Sequence, residues 1–489
     1  MAVGSCYELW PPAFGAELRR EGLVKALLPR AAAMALECDY LLVGSGAIGM
    51  AFLDTLVHED EHCTVIVVDR HAKPGGHWVD SYEFVTLHQP AAFYGVNSEP
   101  LERDGDEKEL SSGQEIRAYF DRVMRKLQAT GRVQFLGMTE FEETEQGVYT
   151  LVPKLAPGAA KTVRVKKKLV DAISQKVAVP SIRGIPFPVA DGISTMPING
   201  LFHLHRLEVQ PERFVVMGAG KTGIDAVLFL LNNEVDPSSI RWIMPQDSWI
   251  FNRERLAFGG EHAMKVWLDV ARAGGNVDDP SVSQEAFEKW AAHGGVMRID
   301  ESVEPTSWKC STVNEAELAQ LRQVLPNIVR LGRILAIDST EIVLEKGSIP
   351  TDKATMHVDA TAMGLGRQPL VPIWSDKKIT VQNTVMCNPT FSAAVQAHIE
   401  ADPRYPSDDE KNSLCAPILN PIVPSDNFHA SLGTAKNRAL WEEAFPEWLM
   451  ACRLSGLGAP DENGEMDWKG SAGTYRASKS SLMLRAAKL

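Results

Sequence analysis

The chain has 489 residues, enough for two or three domains with sizeable cores. Its 45% hydrophobic and 23% charged content is ordinary for a globular protein. A net charge of −13 speaks against a nucleic-acid surface, and no apolar run approaches the ~20 residues of a membrane span. The seven cysteines are dispersed, without the close pair of a redox dithiol or zinc knuckle. That set predicts a reducing compartment and mostly buried thiols.

Residues 1–37 read as an N-terminal extension. From Ala16 to Leu36, charged residues and Pro29 interrupt the apolar ones, which argues against a signal peptide and fits an amphipathic helix. A strand ends at Tyr40–Val43, a glycine set and a helix follow, and Thr64–Val68 is the next strand. A loop runs to about Pro100. Ser112 and Glu115 form a capping box ahead of a helix whose apolar face is Ile116, Tyr119, Phe120, Val123, Met124 and Leu127. The alternation from Val133 to Val170 predicts antiparallel strands, with Lys166, Lys167 and Lys168 on a solvated strand edge. A second strand–glycine–helix unit begins near Arg213. Residues 249–327 read as irregular, and strands resume at Ile328–Leu331, Glu341–Leu344 and His357–Thr361. From Gly456 the chain is a polar tail. It ends Ala487-Lys488-Leu489, a variant of a peroxisomal address that an import receptor would read; a chance match is the competing reading, with a cytoplasmic protein as the alternative.

The two glycine sets carry the chemistry. Gly44, Gly46 and Gly49, with Ile48 between, follow the first strand; Gly218, Gly220 and Gly223, with Lys221 and Thr222, follow Arg213–Met217. This is the context of a dinucleotide fingerprint: a tight turn, backbone that can approach a pyrophosphate, and close helix–strand packing. The helix N-terminus adds N–H donors and a positive dipole end. The competing reading of each set is a plain βα turn. Asp69 lies about 20 residues beyond Gly49, where an acid can hydrogen-bond a ribose 2′-OH, which favours the adenosine half of FAD or NAD. After the second set no acid stands at the matching place, Asp247 lies just beyond it, and Arg241, Arg253 and Arg255 are near in sequence. That favours a ribose 2′-phosphate and hence NADPH, with Arg253 the first choice.

Asp69 is followed by Arg70 and then Gly75-Gly76-His77-Trp78, and a loop with His88 and Gln89 leads to Asn97-Ser98. Together with Thr222-Gly223-Ile224-Asp225, this resembles the flavin-containing and Baeyer–Villiger monooxygenases, over roughly Tyr40 to Arg255 and again at Asp359–Thr361. The resemblance implies an α/β fold of two Rossmann-like dinucleotide-binding domains, the NADPH domain inserted in a discontinuous FAD domain. The strand ends Val170–Ile173 and Val358–Thr361 echo each other on either side of the second glycine set, as that insertion requires. The expected division is an FAD domain over 38–205 and, with a cap, 334–455, an NADPH domain over 206–333, and a tail over 456–489.

The implied function is an FAD-dependent monooxygenase that uses NADPH and O₂ to oxygenate a small or medium organic substrate through a C4a-peroxyflavin. Asn97 would bond the flavin edge or the peroxide. Gly76, Trp78 and Gln89 would join the FAD site, although Trp78 reads equally as a core residue and His88 as a structural histidine. Alternatives are a flavin-dependent NAD(P)H reductase without oxygenation and a non-catalytic flavoprotein sensor. The chain departs from the family in the linker, where His205 stands five residues after Gly200 rather than four, with no phenylalanine in place before that glycine.

Overall fold

Tyr40 to Val43 and Val65 to Val68 are continuous apolar runs, the pattern of parallel strands covered on both faces. The computed structural model describes residues 36–455, apart from 89–90, 92–93, 102–109, 178, 256–265, 267–268, 270–275, 277 and 362–365. Strand β1 (Leu36–Val43) leads through helix α1 (Ala47–Glu59) to its parallel partner β2 (Val65–Val68). The chain continues through α2 (His77–Asp80) and α3 (Gly113–Ala129) to β3 (Val133–Leu136), parallel to β2. At the start of α3 the Ser112 hydroxyl accepts from the Glu115 N–H, and the Glu115 carboxylate accepts from Ser112 N–H. All six residues of its apolar face are buried. At about 1.5–3 kcal/mol per such side chain, this burial rather than propensity holds the helix.

The region after β3 is only partly antiparallel. β4 (Thr139–Glu145) and β5 (Val148–Pro153) form a hairpin, and β5 runs antiparallel to the start of β6 (Lys161–Asp171). β3 and β6, however, belong to the parallel sheet, β6 beside β1. Alternation reports one solvated face and says nothing about strand direction, which distant partners set. Lys166, Lys167 and Lys168 are not at the rim of the sheet. They occupy the short stretch of β6 between Arg164, the last residue paired with β5, and Leu169, the first paired with a later strand.

After α4 (Pro180–Arg183) a second parallel sheet assembles. Its strands are β7 (Thr195–Pro197), β8 (Arg213–Met217), β9 (Ile240–Ile243), β13 (Ile328–Val329) and β17 (Thr355–Asp359), in the order β13-β9-β8-β17-β7. Helix α5 (Lys221–Asn232) connects β8 to β9. The stretch expected to be irregular holds β10 (Ser248–Asn252), α6 (Pro280–Ala292), β11 (Val296–Met297), β12 (Ser307–Val313) and α7 (Glu315–Leu321). Trp249, Phe251, Phe287, Trp290 and Trp308 make a separate core there. β14 (Ile334–Ile337), β15 (Glu341–Leu344) and β16 (Gly347–Pro350) form an antiparallel meander before β17.

The chain then returns to the first sheet with β18 (Trp374–Ser375) and β19 (Lys378–Thr380), the latter parallel to β6. Helix α8 (Pro389–Ala401) shares the largest core with α1. α9 (Asp408–Leu414), α10 (Pro424–Ala444) and α11 (Pro446–Ala451) complete the described chain. Cys38, Cys63, Cys415 and Cys452 are buried thiols, as expected for most of the set, and Cys310 and Cys387 form a disulfide. Among the described residues no helix is long and apolar enough to cross a membrane.

Candidate functional site

The two glycine turns are built alike. In the first, a β-carbon on Gly49 would overlap the Gly44 carbonyl oxygen, and one on Gly44 would come within 2.5 Å of Ile173. In the second, a β-carbon on Gly223 would overlap the Gly218 carbonyl oxygen, and one on Gly218 would lie 2.6 Å from the Ala360 oxygen. Gly46 caps α1 and Gly220 caps α5, neither with a side-chain hydrogen bond, and neither helix has an acid in its first turn. Each turn therefore offers N–H donors and a positive dipole end to an anion. A β-carbon on Gly220 would meet nothing within 4 Å, so backbone there faces open space. Ile48 is half-buried against the first core, and Thr222 is half-buried at the start of α5.

Gly76 serves the first turn by contact. Its own β-carbon would lie 2.7 Å from Gly46 Cα, and Gly75 N–H donates to Ser45 O at 2.9 Å. The Gly-Gly pair is thus the floor against which the glycine loop rests. Trp78 is a core residue: it is 6% exposed, its indole N–H donates to the Tyr94 hydroxyl at 2.6 Å, and the rings meet edge-on.

Asp69 sits at the end of β2 with its carboxylate turned to the loop. Oδ2 accepts from Ser45 N (2.6 Å) and Ser45 Oγ (2.7 Å), and Oδ1 accepts from His71 N (2.8 Å) and contacts His71 Nδ1 (3.0 Å). Burial opposes ionisation, yet the bonds from His71 and Ser45 outweigh it and hold the carboxyl below its usual range. His71 also reaches Asp80 at 2.7 Å, and its bonds to Asp69 and Asp80 raise it to about 9. Arg70 extends over the surface to Asp80 at 3.1 Å. The Asn97 Oδ1 accepts from Arg453 N at 3.2 Å. The neighbouring Ser98 N donates to buried Asp54 at 2.9 Å. Gln89 lies outside the described residues.

Between the two turns lies a cluster that the sequence did not announce. The Tyr82 hydroxyl donates to Asp225 at 2.5 Å, Lys221 pairs with the same carboxylate, and Phe84 stacks on Phe229 with centroids 4.1 Å apart. These contacts join the loop after Trp78 to α5. Burial, together with the nearby cations Lys221 and Arg253, lowers His88 to about 3, so its ring is neutral at physiological pH. Arg253 is a strut here. It donates to His88 O (3.4 Å) and Thr312 O (3.5 Å) and pairs with Glu317 at 2.9 Å.

A groove of about 320 Å³ opens past the C-terminal end of β9, lined by Pro245, Gln246, Asp247, Gly332, Arg333 and Lys346 among others. Arg330 binds Asp247 bidentately, at 2.8 and 3.0 Å. Arg333 and Lys346 are exposed and make no ion pair among the described residues. Arg241, by contrast, bonds the Pro350 carbonyl at 2.8 Å. Arg333 and Lys346 lie some hundred residues beyond the second glycine set in the sequence, so only the pairing of β13 with β9 brings them to it.

This architecture, two mainly parallel sheets each carrying a glycine turn, is similar in fold to a solved monooxygenase. The polycyclic ketone monooxygenase from the thermophilic fungus Thermothelomyces thermophila matches it with a TM-score of 0.50 and 12% identity, over 95% of this chain and 90% of that one. A likeness at that identity is one of fold. No protein-family model matches the chain. The chain belongs to the family of the uncharacterized protein Rv2000 of Mycobacterium tuberculosis (strain ATCC 25618 / H37Rv), with which it is 37% identical over 435 residues, 86% of this chain and 78% of that protein. The uncharacterized protein Mb2023 of Mycobacterium bovis matches to the same extent. The stretch 1–35 and Ala487-Lys488-Leu489 lie outside the described residues, and these bacterial relatives lend the peroxisomal address no support.

Proposed function

We propose that the protein is an FAD-dependent monooxygenase that consumes NADPH and O₂ and oxygenates a small or medium organic substrate. The observation that carries this reading is the pair of equivalent glycine turns with uncapped helix N-termini, joined by the cluster of Tyr82, His88, Lys221, Asp225 and Arg253. Two anion cradles of one design fit two pyrophosphates, and the open space at Gly220 fits the close approach of one. FAD held at the first turn would supply acceptance of a hydride from NADPH and reaction with O₂.

In this reading the N–H groups behind Gly44, Gly46 and Gly49 hold the FAD pyrophosphate, and Asp69 takes the ribose hydroxyls by exchanging its bond with Ser45 Oγ. The N–H groups behind Gly218, Gly220 and Gly223 hold the NADPH pyrophosphate, with the Lys221 ammonium beside it. Arg333 and Lys346 replace Arg253 as the residues for the 2′-phosphate, and Arg330 keeps the Asp247 charge neutralised next to it. Neutral His88 and the apolar Phe84–Phe229 stack keep water and stray protons from the junction. Asn97 acts indirectly, by fixing the segment at Arg453.

The test is turnover under ¹⁸O₂ with NADPH and a panel of ketones, amines and thioethers. One labelled oxygen atom per NADPH in a product supports the reading. NADPH oxidation that never places label in any product, in a protein that purifies with flavin, leaves the reductase alternative in its place. A protein without flavin overturns both.

A further inference from the structure

Cys310 and Cys387 are 77 residues apart and belong to different parts of the fold. Cys310 lies in β12, where the register with β10 shifts between Trp249 and Phe251. Cys387 lies in the turn that delivers Asn388, the N-cap of α8, and α8 packs on α1 behind the first glycine turn. The disulfide therefore ties the tryptophan-rich sheet, attached to the second unit, to the helix layer of the first. Both cysteines have left-handed backbone, φ 53° and 55°, and among the described residues only three other non-glycine residues do. That conformation costs an L-residue about 1–2 kcal/mol, and such outliers collect at switch segments. Both residues are half-buried. Two residues beyond Cys310, the Thr312 carbonyl accepts from Arg253, whose guanidinium also holds the His88 carbonyl. A continuous path of contacts thus runs from the disulfide to the junction of the two dinucleotide sites.

We propose that Cys310–Cys387 is a reversible clasp, closed by hydrogen peroxide, that slows hydride transfer between the two sites. Its oxidant and its kinetic effect rest on the flavin reading above, because peroxide is the by-product of a flavin oxygenase that turns over without substrate. One cysteine thiolate attacks the peroxide, the O–O bond breaks, and a sulfenic acid and hydroxide form. The second thiol attacks that sulfur, the S–S bond forms and the sulfenic oxygen leaves as water. Two thiols and one H₂O₂ give one disulfide and two waters. A cellular dithiol reopens the clasp by exchange. Uncoupled turnover then limits itself: the peroxide it releases closes the clasp and NADPH consumption falls.

The test uses the full-length protein, reduced with dithiothreitol in one sample and treated with hydrogen peroxide in another. Alkylation and mass spectrometry of the denatured samples should find two fewer thiols after peroxide than the seven of the reduced chain, with Cys310 and Cys387 the protected pair. Anaerobic stopped-flow reduction of the flavin by NADPH should be at least about threefold slower in the oxidised sample, a modest population shift. Cys310→Ser and Cys387→Ala should show the fast rate under both treatments. An unchanged thiol count, equal rates in the two wild-type states, or slowing by peroxide that persists in both variants overturns the clasp. If the protein holds no flavin, the thiol count still decides whether the pair forms. Hydrogen exchange of 307–313 and 385–388 must then be slower in the oxidised sample, and equal exchange overturns the clasp.

Discussion

Two glycines with similar sequence credentials do different work. Gly76 has φ 57°, and its β-carbon would press on Gly46 Cα, so Gly76→Ala strains the backbone and displaces the first loop together. We expect about 2 kcal/mol of lost stability and little bound flavin, read from urea unfolding and from absorbance per protein. Gly220 has ordinary backbone and an empty neighbourhood. Gly220→Ala should unfold like the parent yet bind NADPH at least about tenfold more weakly, since the methyl group stands where phosphate would approach. Wild-type NADPH affinity in Gly220→Ala would remove the second turn from the coenzyme site. The basic residues separate in the same way. Lys346→Ala or Arg333→Ala should reduce the preference for NADPH over NADH by about 1.5–3 kcal/mol, the cost of a charge-assisted bond. Arg253→Ala should impair both coenzymes equally, because it breaks the strut to His88 and Thr312. A selective loss of NADPH in Arg253→Ala would reverse that assignment.

At the scale of elements, the junction of β2 with the first glycine loop is a proton-sensitive joint. His71 is raised to about 9 by its bonds to Asp69 and Asp80, against about 6.5 unfolded. Its contribution is therefore fully present below pH 6.5 and is lost as the pH rises through about 9, on the order of 3 kcal/mol at most. Asp69 is depressed, so its contribution persists above the unfolded carboxylate range and is lost only in acid. Urea midpoints of the wild type should fall between pH 6.5 and 9.5, and His71→Gln should flatten that slope; an equal slope in the variant would refute the joint.

The sequence made these elements unevenly legible. The glycine turns and the Ser112 capping box are local devices, set by residues within a few positions of each other, and they stand as expected. The face of α3 was readable because helical periodicity is also local. Strands β10 and β12 were not, because residues 248–252 pair with 307–313 and their tryptophan core closes only through that long-range contact. Arg253 stands near the second glycine set in the sequence, while Arg333 and Lys346 reach the groove from beyond β13 and β15, which only the long-range strand pairing reveals. The bond of the Trp78 indole to the Tyr94 hydroxyl and that of Asn97 Oδ1 to Arg453 N join residues well separated in the chain, so no local pattern shows them.

At the scale of the whole molecule, every strand of the second sheet lies in the chain between β6 and β18. Its first and last strands, β7 and β17, are direct neighbours, Thr195 opposite His357, so that sheet can close without the rest. The first sheet cannot, since β19 pairs with β6 only after some two hundred further residues. In pulse-labelled refolding of the full chain, amides of β8 and β9 should gain protection before those at 169–171 of β6. Simultaneous protection would show a single cooperative unit.

The lysines of β6 take on a meaning from this order. On a ribosome adding about 5–20 residues per second, β6 emerges roughly ten seconds or more before β19 exists. For that interval a β-rich strand with an open side is exposed to every other nascent chain. Three consecutive positive charges on its uncovered stretch are a deterrent to foreign strands. Lys168 afterwards pairs with Asp408, beyond β19, while Lys166 and Lys167 find Glu37 and Asp60. The run is placed where its charge would keep foreign strands off β6 during synthesis.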